Sequence, residues 1–382
     1  MRRHLVLAAG LLLAWLIIEG VFRHNLGYEA RLVTDNYERG FSAERGRWAI
    51  GWRVPYRDVF SEFPQVATYV HGLPYIFVGD DKTAYISAFS LMMCGWLGAT
   101  ITLLRALRPA QPSFEYFLLF PPIFYFAYNR FDLIASVFLL LAFWCLKEQR
   151  HAAAGACLAA ATLTKWYPGL VLPVLLSYTF RTTRRFDWPL VVAFGVTVAV
   201  LLAPIFVLAG PKAVLQPYLY HASRGLEMVS LPALAHEGIR QWLGVEMNPR
   251  IVQLACLAML LATVIASLVA RVESLENVIR WSFVLVGTSV LVSQVWSPQW
   301  ILWVMPLAIL VAAPSDVPWL IAYALLNYVS FPLLYDTIGR DTVAVVVISL
   351  VVYAILFRTL ISIGQRAWST GFSLRLSPDS AP

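Results

Sequence analysis

Charge is what this chain has least of. Only 13% of its 382 residues are Asp, Glu, Lys or Arg, against 59% hydrophobic and 14% aromatic. A soluble globular chain carries about 25% charged and roughly 45–50% apolar residues. With a mean hydropathy of +0.68, the shortage of charge excludes a disordered chain, a coiled coil and an ordinary nucleic-acid-binding domain. One soluble core could not hide so much apolar surface. Cysteine is also scarce: Cys94, Cys145, Cys157 and Cys256 lie in apolar runs, with no C-x-x-C partner or metal-ligand spacing. They read as small buried hydrophobes and say nothing about redox compartment. G-x-x-x-x-G-K-[ST], G-x-G-x-x-G, H-E-x-x-H and G-x-S-x-G are missing. So is Asp-x-Asp, since Asp80 and Asp81 are adjacent. Nucleotide hydrolysis and zinc proteolysis lose their support, and neither a metal nor a cofactor is expected. There is no Gly/Ser linker, no solenoid repeat and no soluble domain to hold a nucleotide sugar.

Long apolar runs are what the chain does have. The first, Leu5 to Phe22, follows Arg2 and Arg3. It has no small-residue cleavage site, so it reads as a retained helix rather than a signal peptide. Others lie near 84–104, 114–128, 132–146, 152–164, 168–180, 187–209, 251–270, 278–294, 299–313, 317–335 and 342–360. A perpendicular membrane helix needs about 20 residues. Several runs are shorter, and Pro121, Pro122, Pro168 and Pro173 break that region. Short broken helices at membrane depth line cavities rather than face lipid.

The net charge of +7, 29 basic against 22 acidic residues, would suit nucleic acid only if its positions were ignored. Arg105 with Arg108, Lys147 with Arg150 and His151, and Arg181 with Arg184 and Arg185 form knots between apolar runs. Short cytoplasmic loops look like this. Placing 105–113, 147–151, 181–186, 271–277 and the tail from Arg358 inside gives about twelve transmembrane helices with both termini cytoplasmic. The expected fold is therefore an all-α integral membrane protein, a multi-pass helical bundle forming one polytopic domain. It comprises a first helix (1–22), an outer loop (23–83) with juxtamembrane helices, core helices (84–209), a second outer loop (210–250), C-terminal helices (251–360) and a tail (361–382). Phe63 to Val78 reads as an apolar segment lying on or dipping into the outer leaflet. The setting is a cell inner or plasma membrane, and the chain is expected to be a monomer that binds no nucleic acid.

The unusual residues gather on the outward side. Carboxylates of the first loop, Asp35, Asp58 and Glu62, stand among aromatics such as Tyr56, a setting that could raise a pKa toward general-base duty. A solvated loop would carry the same composition. Arg130 and Asp132 flank Phe131 between two short helices, either as a structural pair or facing a ligand. Lys165, one of four lysines, precedes Trp166, Tyr167 and Pro168 at a helix break. It suits a lipid phosphate, unless it merely snorkels. His221 and Arg224 follow Tyr218 and Tyr220, a combination suited to anions or sugars. Trp296, Gln299, Trp300 and Trp303 surround Pro298, as an aromatic belt or a sugar-stacking face.

These motifs together resemble the polyprenyl-phosphate-sugar-dependent glycosyltransferases of GT-C fold, and most closely glycosyltransferase family 87. Asp35 stands where that family has an Asp after its first helix. Pro55-Tyr56-Arg57-Asp58-Val59-Phe60-Ser61-Glu62-Phe63-Pro64 resembles its "PYRDF…EYPP" run, Arg130-Phe131-Asp132 its "RFD", and Leu163-Thr164-Lys165-Trp166-Tyr167-Pro168 its "LTKxYP". Tyr220-His221-Ala222-Ser223-Arg224-Gly225-Leu226-Glu227 and Trp296-Ser297-Pro298-Gln299 match two further runs. The likeness extends from about residue 30 to residue 306 in the family's order; Gln65 and Gln294 depart from it.

The resemblance implies inverting transfer of a sugar, mannose first among the choices, from a polyprenyl-phosphate donor at the extracytoplasmic face. The acceptor is a hydroxyl of a glycolipid or glycan. It implies Asp35 as the general base with Asp58 as runner-up. Lys165, Arg130, Arg224 and His221 would hold the donor phosphate, and Glu62, Tyr56, Asp132, Tyr167, Gln299 and Trp296 the substrates. Two rival readings remain: a glycan ligase or polymerase using pyrophosphate-linked chains, which would use the same basic groups, and a lipid-linked-sugar flippase or transporter, also polytopic with broken helices. Transporters tend to pair broken segments near the midplane, and no such pairing is visible.

Overall fold

A computed structural model describes residues 2–23, 27–108, 114–339 and 342–369. The expected tail beyond residue 369, and parts of loops 105–113 and 336–341, lie outside the described residues. Among those described, the chain is helical and has no strand. Six helices are long and apolar enough to cross a membrane: Arg3–Phe22, Lys82–Leu107, Trp188–Ala209, Pro249–Val269, Pro314–Leu334 and Val343–Ser369. A seventh crossing is possible if Pro121–Asn129 and Asp132–Lys147, bent by 99°, count as one. Other apolar runs form helices too short for a perpendicular span, among them His151–Thr164, Leu172–Thr183 and Ile301–Val311.

By their internal contacts, the helices fall into two compact units. One comprises Met1–Gly169, Pro189–Arg224 and Gln299–Pro306; the other Leu170–Trp188, Gly225–Pro298 and Leu307–Pro382. The first contains α1 (Arg2–Ile17), α2 (Asn36–Gly46), α3 (Gln65–Val78), α4 (Lys82–Leu107), α5 (Pro121–Asn129), α6 (Asp132–Lys147) and α7 (His151–Thr164). It also holds α8 (Trp188–Ala209) and α9 (Pro211–Ser223). α6 and α7 pack along one another, and α4 lies against α1, α2 and α6. In the second unit the longest helix, Val343–Ser369, packs on Leu275–Leu291. There buried Asp316 accepts from Arg358 (2.9 Å), Arg366 (2.6 Å) and Ser362 (2.9 Å).

Local sequence explains the starts and stops that matter. Asp35 caps α2 by accepting from the Glu38 amide at 3.0 Å, and Asp81 caps α4; side-chain oxygens suit these otherwise unpaired amides. Pro121 and Pro122 occupy the first turn of α5, where a missing N–H costs nothing. α2 and α3 approach so closely that a Cβ on Gly46 would lie 2.1 Å from the His71 carbonyl oxygen.

α2 is also fastened from below. Arg39, fully buried, donates to Glu19 in the π-helical turn Ile18–Phe22 and to Ser90 on α4. Glu19 further accepts from Tyr128 on α5 (2.6 Å), Arg23 (2.9 Å) and Ser87 (3.0 Å). One buried carboxylate thus joins α1, α2, α4 and α5.

Candidate active site

Two buried ion pairs stand side by side at the ends of α5, α6 and α7. Asn129 draws the first loop onto the end of α5: its Oδ1 accepts from the Asp35 amide at 2.9 Å, and its Nδ2 donates to the Val33 carbonyl at 3.0 Å. The chain then turns sharply, with Arg130 extended between the helices. Arg130 Nη2 meets Asp35 Oδ2 at 2.7 Å, and Tyr125 donates to the same oxygen at 3.4 Å. Burial alone would raise the Asp35 carboxyl, but the Arg130 charge and the Glu38 amide outweigh it and hold it below the usual carboxylate range. Glu38 lies one turn further on, its Oε1 3.8 Å from Arg130 Nε. Burial raises its carboxyl, Arg130 and Lys165 oppose the rise, and Asp35 and Asp132 add to it, for a net upward shift.

The second pair joins Lys165, extended at the end of α7, to Asp132 at the start of α6, 3.3 Å apart. Asp132 is fully buried and also accepts from Trp303 Nε1 (2.8 Å) and Gln299 Nε2 (3.1 Å). Lys165 Nζ sits 4.5 Å from the ring centres of both Phe63 and Phe131, within cation–π range. Tyr167 stacks on Trp303 with centroids 4.4 Å apart, and its hydroxyl shares a hydrogen bond with Ser136 at 2.8 Å. Tyr167 thus backs Trp303, whose ring centre lies 5.9 Å from Lys165 Nζ.

A third group adjoins through Phe63. Arg224 lies 3.7 Å from Glu62, and His221 Nε2 donates to the Glu62 carbonyl at 2.9 Å. Burial and the Lys165 charge push the His221 pKa down, against Glu62, so at neutral pH this imidazole offers a hydrogen bond rather than a charge.

Three of the expected site residues make other contacts. Tyr56 is buried in the first loop, its hydroxyl bonded to the Phe63 carbonyl (2.7 Å) and Thr68 (2.8 Å). Asp58 is exposed and held by Arg57 (two contacts of 2.9 Å) and the Val54 amide (2.7 Å). Arg57, then that amide, bring its carboxyl down to about 2. Trp296 belongs to the second unit, edge-on to Tyr353 at 4.7 Å.

The sequence model of glycosyltransferase family 87 matches residues 76–294, more than half of the chain. This chain belongs to glycosyltransferase family 87. It is therefore a membrane glycosyltransferase. No curated protein matches it significantly. The matched stretch carries Arg130, Asp132, Lys165, His221 and Arg224 and begins after Asp35, Glu38, Tyr56, Asp58 and Glu62. In this family 87 chain, residues on both sides of that boundary meet in one cluster.

Sequence reasoning passed over several residues of that cluster. Glu38 lies three positions beyond Asp35, a spacing that puts both on one turn of a helix. Glu19 was visible as the one acid inside the first apolar run, where ionisable residues are functional or paired. His71 gave no signal: it is wedged between Phe63 and Phe131 with neither ring nitrogen hydrogen-bonded, and burial lowers its pKa to about 3. Among the described residues no group of three or more His, Cys, Asp or Glu is arranged to hold a metal ion. Chemically, the cluster offers carboxylates to accept a proton and two buried cations to meet a developing anion.

Proposed function

We propose that this family 87 enzyme transfers a mannosyl group, with inversion, from a polyprenyl-phosphate donor to a hydroxyl of a glycolipid or glycan acceptor. The reaction takes place at the extracytoplasmic face of the cell membrane, with both chain termini cytoplasmic and the helices forming a GT-C-like bundle. The enzyme acts as a monomer without a metal or other cofactor. The observation that carries this reading is the buried Asp35–Arg130 pair, 2.7 Å apart, beside the Lys165–Asp132 pair.

Asp35 accepts the acceptor's proton as the acceptor oxygen attacks the anomeric carbon. The bond from that carbon to the phosphate oxygen breaks, and its electrons leave on the lipid phosphate. Arg130 and Lys165 meet that growing charge, the electrostatic work that fixed cations do best in a site shielded from water. Arg130 also regulates the base: paired with Asp35 it lowers the carboxyl's proton affinity, and a phosphate drawing Arg130 away restores it. Arg224 and Glu62, paired at 3.7 Å, and Gln299, bonded to Asp132, would hold the substrates, with Tyr167 behind Trp303.

Reconstitution in vesicles with polyprenyl-phosphate mannose and candidate acceptors tests the reading. Asp35→Asn is expected to lower transfer by about 10²–10⁴-fold, the range for a positioned acid–base group. Full activity in that variant, or no donor consumption by the unaltered enzyme, overturns it. Consumption of a pyrophosphate-linked chain instead would favour the ligase or polymerase.

A further inference from the structure

The mechanism above leaves a proton on the wrong carboxylate. Asp35 is the less exposed of the two acids, 10% against 21% for Glu38, and three donors converge on it: the Glu38 amide, Arg130 and Tyr125. Its protonated form would also break the 2.7 Å pair with Arg130. Glu38 is placed differently. Its carboxylate accepts no hydrogen bond among the described residues, its nearest cation is Arg130 at 3.8 Å, and its backbone is tied to Asp35 Oδ1.

We infer that Glu38 is the proton exit of this site, taking the acceptor's proton on from Asp35 and releasing it to water. In sequence, the acceptor O–H proton reaches Asp35 as the glycosidic bond forms. It then moves to the Glu38 carboxylate, which restores the Asp35 anion and its pair with Arg130. Glu38 finally loses it to solvent, so the cycle closes without another reactant. The charged groups around Glu38 favour this direction. Asp35 at the α2 cap and Asp132 on α6 repel its anion, Arg130 at the bend and Lys165 at the end of α7 attract it, and with burial the balance falls toward the protonated form. Asp35 is shifted the opposite way, and carboxylates driven apart in this manner divide acid and base roles.

The inference rests on the proposed transfer reaction, and its test separates the two. Unaltered enzyme, Glu38→Gln and Glu38→Asp are assayed in vesicles with polyprenyl-phosphate mannose and an acceptor, recording kcat and the donor KM against pH. In Glu38→Gln, kcat is expected to fall by about tenfold or more, below the full effect of removing a base, with the donor KM changing less than about threefold. The fall in rate that the unaltered enzyme shows on acidification, as Glu38 takes up its proton, is expected to move to lower pH. Glu38→Asp is expected to recover most of the rate. An unchanged kcat and pH profile in Glu38→Gln, or a raised KM alone, overturns the role of Glu38. No turnover by the unaltered enzyme overturns the transfer reaction itself. If Glu38→Gln does not accumulate, Glu38→Ala with added formate answers the question: restored turnover supports a proton relay, and its absence overturns it.

Discussion

In the proposed reaction Arg130 serves two anions in turn, Asp35 at rest and the leaving phosphate during transfer. Arg130→Lys keeps the charge but loses the forked geometry that lets one side chain reach both. It is expected to lower kcat more than it raises the donor KM, measured with the vesicle assay. Asp58, exposed and bound to Arg57 and the Val54 amide, makes the opposite prediction: Asp58→Asn is expected to retain near-full transfer. A tenfold loss there would return Asp58 to candidacy as the base.

Glu38 also carries a stability cost. Its folded-state carboxyl is raised, so the stability that protonation lends is present at low pH and lost as pH rises through the folded value. Glu38→Gln mimics the protonated form. Thermal melting is expected to place this variant above the unaltered protein at neutral pH, with the gap closing on acidification.

At the scale of elements, the position of α2 depends on Glu19. Removing one partner of a buried ion pair costs about 3–5 kcal/mol. Glu19→Ala is expected to lower both melting temperature and transfer rate, since Arg39 loses its anchor and α2 its seat. The bend at Arg130 and Phe131 and the break at Lys165 were legible in sequence because polar residues interrupt apolar runs there. The partnership of Asp35 with Arg130 was not, because the two lie far apart in the chain and no local spacing encodes their meeting. Glu38 shows the same limit, its significance coming from Arg130, Asp132 and Lys165 rather than from its own helix. The count of long crossings was the least legible quantity. Composition marks an apolar run, but proline and packing decide whether it becomes one long helix or two short ones, as at Pro121–Asn129 and Asp132–Lys147.

For the molecule as a whole, the expected site residues other than Trp296 fall in the first unit, to which the distant segment Gln299–Pro306 contributes Gln299 and Trp303. A ligand that binds the folded state raises its stability by RT ln(1 + L/Kd), where L is the free ligand concentration. Polyprenyl phosphate without sugar is therefore expected to raise the melting temperature of the unaltered enzyme and to do so far less for Lys165→Ala. An equal shift in both would place the phosphate elsewhere.

Glu19 ends the first lipid-embedded helix, and Arg39 carries its grip to the helix that Asp35 begins. A bilayer too thin for Arg3–Phe22 tilts that helix, and one too thick is thinned around it. The Arg39–Glu19 pair gives that strain a path to the helix that Asp35 caps. The proposed transfer is consequently expected to depend on membrane thickness, and vesicles made from lipids of graded acyl-chain length are expected to show a rate optimum that Glu19→Gln flattens.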